Sequence, residues 1–129
     1  MNGVRKKVFF VDDDRLIIMS MKGVVMGAGF DVESFWDGPT AWEKIQKSPP
    51  DIIILDAVMP VLNGFEITRR MKADEKLKKI PVLILTGLKS PQDTFDAKQA
   101  GADEVLAKPI TGDKLIERIR FHLKKPAVA

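Results

Sequence analysis

Apolar positions along this chain come in short bursts set apart by breakers. Ile52, Ile53, Ile54 and Leu55 form a continuous run behind Pro49 and Pro50. A run this short and β-branched predicts a strand buried on both faces. Residues 7–11 (KVFFV) and 81–85 (PVLIL) predict two more strands, and residues 30–35 and 104–107 two shorter ones. Between them the apolar spacing widens to three and four, as on one side of a helix. The first helix is expected over residues 15–26, closed by Gly27 or Gly29, with Ile17, Met21, Val24 and Val25 inward. Leu16 and Met19 are left over near its start. Residues 40–47 predict a short helix with Trp42 and Ile45 inward, and residues 64–72 one carrying Phe65, Thr68 and Met71. Ser90 can cap the next, Pro91 suits its first turn, Asp93 suits the dipole, and Gly101 ends it. The last helix is expected over residues 111–124, with Leu115, Ile116, Ile119 and Leu123 on one face.

Strand and helix thus alternate five times, which implies a parallel sheet with helices on both faces. Five units are too few for a closed barrel, so an open, doubly wound α/β domain is expected.

Composition narrows the chemistry. At 129 residues the chain is read as one domain, with apolar and charged shares of 45% and 30% that suit a globular protein. The tail PAVA is too short for a second domain, and no output domain is visible. No cysteine is present, so disulfides, thiolate nucleophiles and cysteine zinc sites are excluded. The lone histidine, His122, excludes a His–His metal site. No apolar run approaches the roughly 20 residues that span a membrane, and the start shows no leader, so a cytoplasmic location with no membrane partner is expected. The net charge of +3 is a weak argument for nucleic acid. Lys76, Lys78, Lys79, Lys124 and Lys125 read as solvated helix faces, so no direct nucleic-acid contact is expected.

Polar residues stand where the apolar runs stop. Residues 7–11 run into Asp12, Asp13 and Asp14, residues 52–55 into Asp56, residues 81–85 into Thr86, and residues 104–107 into Lys108. In an open parallel sheet the carboxyl ends of the strands share one crevice. Clustered carboxylates repel one another and call for a cation. The donors are hard oxygens, so Mg²⁺ suits them. Mg²⁺ with a lysine, a hydroxyl and a spare carboxylate suits phosphoryl transfer, with the carboxylate as nucleophile. Asp14 reads as a helix cap rather than a ligand.

The segments VDDDR, LDAVMPVLNG, LTG and AKP, in this order and at strand ends, closely resemble the receiver domain of two-component response regulators over nearly the whole chain. The resemblance implies a flavodoxin-like (βα)5 sandwich with strand order 2-1-3-4-5. It implies that Asp56 accepts a phosphoryl group from a sensor histidine kinase or a histidine phosphotransfer protein. Asp12, Asp13, Asp56 and the Val58 backbone carbonyl would hold Mg²⁺. Thr86 and Lys108 would contact the phosphoryl group, with a cis bond between Lys108 and Pro109. The domain would assist its own phosphorylation and dephosphorylation rather than turn over a substrate. It would then shift the surface of its fourth helix, fifth strand and fifth helix toward a downstream protein or an output domain, as a monomer or a phosphorylation-dependent dimer. Leu16 and Met19 fall where this family docks its kinase.

Two departures stand out. Val105 replaces the aromatic residue usual three positions before the lysine, so a switch by ring rotation is not expected. Val58 and Leu88 take positions where relatives carry polar residues that orient water, so slow loss of the phosphoryl group is expected. The main rival is an aspartate-nucleophile phosphatase of haloacid-dehalogenase type, with Asp12 as nucleophile and Asp14 as acid–base. It lacks a second acidic pair after the lysine, since only Asp113 follows before the last helix. A flavodoxin-like cofactor carrier would need a glycine- or serine-rich phosphate loop where the acidic triplet stands. A receiver-like scaffold that only binds protein would not need the complete site.

Overall fold

A computed structural model describes residues 5–87 and 90–124. Leu88 and its neighbour Lys89, and with them the shielding role expected of Leu88, lie outside the described residues, as does Lys125. The elements are β1 (Lys7–Val11), α1 (Arg15–Gly27), β2 (Asp31–Phe35), α2 (Gly38–Lys47), β3 (Ile52–Asp56), α3 (Gly64–Lys72), β4 (Val82–Thr86), α4 (Pro91–Ala100), β5 (Glu104–Ala107) and α5 (Gly112–Lys124). The strands form one parallel sheet in the order β2-β1-β3-β4-β5. This is the doubly wound architecture expected from the alternation, in the flavodoxin-like strand order that the receiver-domain resemblance implies.

The sheet is covered on both sides. Alternate residues of β1 part company: Phe9 and Val11 join α2, α3 and α4 through Ala41, Ile45, Ile67, Met71 and Ala97. Val8 and Phe10 join α1 and α5 through Ile18, Val25, Leu115 and Ile119. β3 and β4 are buried throughout, as a central parallel strand must be when both faces are covered.

Caps fix the helix starts. Asp14 accepts from the backbone N–H of Leu16 and Ile17, Asn63 from that of Glu66, and Ser90 with Asp93 forms a reciprocal capping box. Gly101, in the left-handed region at φ 98°, ends α4. Val61 also lies there, at φ 70°, with its side chain 94% exposed.

Some side chains turn away from their expected faces. In α1 Ile18 is buried with Val25, while Val24 is 42% exposed and lies against Gly112 of α5. The buried stripe is rotated because α1 sits between the sheet and α5 rather than squarely on the sheet. In α2 the fully buried residue beside Ile45 is Ala41, and Trp42 is only partly buried. Met26 and Phe95 are exposed, and Phe121, half-exposed, sets its ring edge-on to that of His122. Leu16 and Met19 are exposed, as their leftover positions imply.

Candidate functional site at the carboxyl ends of the strands

Strand register decides which side chains meet. Val11 pairs with Leu55, so Asp12 leaves β1 level with Asp56 at the end of β3. Asp56 pairs with Leu85, and Thr86 with Ala107, so Thr86 and Lys108 emerge one step further along β4 and after β5. The sequence places a polar residue directly after each apolar run, and the parallel register collects them at one rim.

Asp12, Asp13 and Asp56 come together, each offering an oxygen within 4.8 Å of the others. Asp12 is fully buried and Asp56 is 6% exposed, whereas Asp13 faces solvent. Asp12 Oδ1 accepts from the Asp14 N–H at 2.9 Å, which turns the chain into α1. Lys108 Nζ lies 3.0 Å from Asp12 Oδ2 and 3.4 Å from Asp56 Oδ1. The Asp12 contact falls outside hydrogen-bond geometry, so charge rather than a directed bond carries it. The Val58 N–H lies 3.4 Å from Asp56 Oδ1. Thr86 is buried, and its carbonyl accepts from the Lys108 N–H at 2.8 Å. The Lys108–Pro109 bond is cis.

The loop after β3 is pressed against the site. The Gly64 N–H donates to the Ala57 carbonyl, and a methyl group on Gly64 would collide with the Asp56 carbonyl. Only glycine lets α3 begin so close to the acid. Thr68 Oγ1 closes the turn on the Gly64 carbonyl at 2.7 Å.

Electrostatics follow from this crowding. Burial, then repulsion by Asp12, push the Asp56 carboxyl from 3.8 to about 7, although Lys108 and the Val58 N–H draw it down. Burial works against the Lys108 ammonium, but its contacts with Asp12 and Asp56 outweigh that and raise it above its ordinary range. An acid cluster with more negative charge than one lysine can neutralise, made only of hard oxygens, fits a divalent cation such as Mg²⁺.

Residues 8–120 match the family model described as response regulator receiver domain. The chain belongs to that family. Curated relatives of this receiver domain include the DNA-binding response regulator MtrA of Mycobacterium tuberculosis, 30% identical over 125 residues, 97% of this chain and 54% of that protein. The DNA-binding dual master transcriptional regulator RpaA of Synechocystis is 33% identical over 119 residues, 92% of this chain and 49% of that protein. The receiver domain thus spans about half the length of these two relatives. Among solved structures, a putative response regulator from Chloroflexus aurantiacus is similar with a TM-score of 0.90 and 29% identity, covering 95% of this chain and all of that one. The Vibrio cholerae chemotaxis protein CheY4 is similar with a TM-score of 0.86 and 34% identity, covering 92% and 98%. As a receiver domain it is a signalling module of two-component systems, and the haloacid-dehalogenase reading is not favoured. No described helix is long and apolar enough to cross a membrane.

Two arrangements escaped the linear reading. At the far end of β5, Glu104 Oε1 receives Arg118 Nε at 2.9 Å and Arg118 Nη2 at 2.8 Å, and lies 2.7 Å from Nε2 of the buried His122. The i,i+4 spacing of Arg118 and His122 was the available signal. Burial pushes the Glu104 carboxyl up, yet the bonds from His122 and Arg118 prevail and hold it below its ordinary value. At the rim, the Arg15 guanidinium carbon lies 3.9 Å from the centre of the half-exposed Trp36 ring.

Proposed function

We propose that Asp56 is the phosphoacceptor of this receiver domain and that the donor is a phosphohistidine on a sensor histidine kinase or a histidine phosphotransfer protein. One observation carries the reading: Asp12, Asp13, Asp56 and Lys108, from the ends of three strands, meet at one rim. In the reaction a carboxylate oxygen of Asp56 attacks phosphorus, the P–N bond breaks, and the histidine nitrogen leaves and takes up a proton. Asp56 must be ionised to attack, so its raised pKa is a barrier that neighbouring positive charge lowers. Asp12, Asp13, Asp56 and the Val58 carbonyl would hold Mg²⁺, which when bound neutralises charge on the acids and on the phosphoryl oxygens. Lys108 is already within reach of Asp56 and turns to the phosphoryl group. The Thr86 hydroxyl, at the end of β4, donates to a phosphoryl oxygen.

Residues 1–129 act in this reading as one cytoplasmic receiver domain that makes no nucleic-acid contact of its own. The DNA binding in the names of MtrA and RpaA is taken as a property of the remainder of those proteins. The α4–β5–α5 surface carries the signal to a downstream protein or output domain, through backbone shifts because Val105 cannot act as a rotating ring. The domain is a monomer or dimerises on phosphorylation.

The test is incubation with Mg²⁺ and acetyl phosphate, read by intact-protein mass. A single phosphoryl adduct is expected on the wild type and none on Asp56→Asn. An adduct that survives Asp56→Asn, or its complete absence with acetyl phosphate and every phosphohistidine donor tried, overturns the assignment.

A further inference from the structure

The rim of the acid cluster carries a cation that the phosphorylation reading does not use. Arg15 is the first residue of α1, where positive charge opposes the helix dipole. It is exposed and stands two residues from Asp13. Among the described residues neither the Arg15 nor the Asp13 side chain has a hydrogen bond or an ion pair. The other acids of the triplet are engaged: Asp14 caps α1, and Asp12 holds the Asp14 N–H and faces Lys108. Asp13 is therefore the natural partner for a guanidinium two residues away, yet Arg15 lies on the Trp36 ring instead. Trp36 follows β2 at the level of the cluster, because Phe35 pairs with Val11 and its carbonyl accepts from the Asp12 N–H.

We propose that Trp36 is a positioning residue for the divalent-cation site: it holds the Arg15 guanidinium on its ring and so leaves Asp13 open to the ion. The inference rests on the reading of Asp12, Asp13 and Asp56 as that site. An exposed cation–π contact and an exposed ion pair are of similar strength, so the ring decides between two nearly balanced positions of Arg15. Without the ring, Arg15 turns to Asp13, and an entering cation must displace a like charge.

Calorimetric titration of the full chain with Mg²⁺ at low salt tests this. Trp36→Ala is expected to weaken binding by about two- to five-fold, the factor an exposed pair carries. Trp36→Phe, which keeps an aromatic face, retains most of the affinity, and the double variant Trp36→Ala/Arg15→Ala regains it. The deficit shrinks as salt screens the pair. Unchanged affinity in Trp36→Ala overturns the clamp, and so does a deficit that persists in the double variant. Asp13→Asn separates the two readings. If the wild type binds Mg²⁺ and Asp13→Asn does not weaken it, the site assignment fails with the clamp. If Asp13→Asn weakens it and Trp36→Ala does not, the clamp alone fails.

Discussion

Replacing Asp56 by asparagine should make the metal-free protein more stable. Asp56 is 6% exposed, beside the fully buried Asp12, and its carboxyl is pushed from 3.8 to about 7. The folded state therefore holds this proton more tightly than the unfolded chain does. Stability is then lost as pH rises from 3.8 to about 7, since the unfolded chain ionises first. At about 1.36 kcal/mol per pH unit, that interval amounts to about 4 kcal/mol of destabilisation at alkaline pH. Asparagine has nearly the same shape and cannot ionise. Asp56→Asn should gain roughly 2–4 kcal/mol over wild type near pH 8, and close to nothing below the ordinary carboxyl range. Urea unfolding in EDTA, followed by the fluorescence of Trp36 and Trp42 across this range, measures the difference directly. Added Mg²⁺ should stabilise the wild type more than the variant and narrow the gap. A gap that does not change with pH, or a variant less stable than wild type at pH 8, refutes the argument that like charge and burial dominate this site.

Glu104→Gln should cost about 1–3 kcal/mol at neutral pH, because Arg118 and the buried His122 lose their common acceptor. The Glu104 carboxyl is held below its ordinary value, so its contribution is present above that value and fades as pH falls through the folded one, and the cost measured by denaturation should shrink in acid. Gly64→Ala should destabilise by about 1–3 kcal/mol and slow phosphorylation, since its methyl group can be seated only by moving α3 or the Asp56 carbonyl. Thermal unfolding and the rate of adduct formation check the two effects, and a variant unchanged in both contradicts the close packing. Val58 is 75% exposed beside Asp56, and Val58→Asn should hasten loss of the phosphoryl group several-fold by offering water a polar partner. Equal half-lives would remove Val58 as a shield.

The sequence carried the architecture because central parallel strands admit little but apolar residues. The run from Ile52 to Leu55 is short, β-branched and preceded by two prolines, which favours a buried strand over a helix, and the acid behind it marked the strand's carboxyl end. The same logic located Asp12, Thr86 and Lys108 without knowledge of register, since each interrupts an apolar run. The capping of α4 by Ser90 was equally legible, because it depends on neighbours in sequence alone. What was not legible depends on neighbours in space. Ile18 and Val24 of α1 are both apolar, and only the seat of the helix between sheet and α5 decides which is buried. His122 said only that a His–His metal site is excluded, and its partner Glu104 is set against it by folding alone. Arg15 and Trp36 are far apart in sequence, and nothing in either segment announces the other.

Val61 has a consequence for how this domain would respond to selection. A β-branched residue at φ 70° bears roughly 1–2 kcal/mol of backbone strain, and a side chain that is 94% exposed recovers almost none of it through contacts. Libraries screened only for heat resistance should therefore lose this valine early, in favour of glycine or asparagine. Libraries screened for exchange with a partner should keep it if that partner grips the isopropyl group. The residue favoured at this one site in the two screens would reveal whether the tip of the loop is touched in the signalling complex.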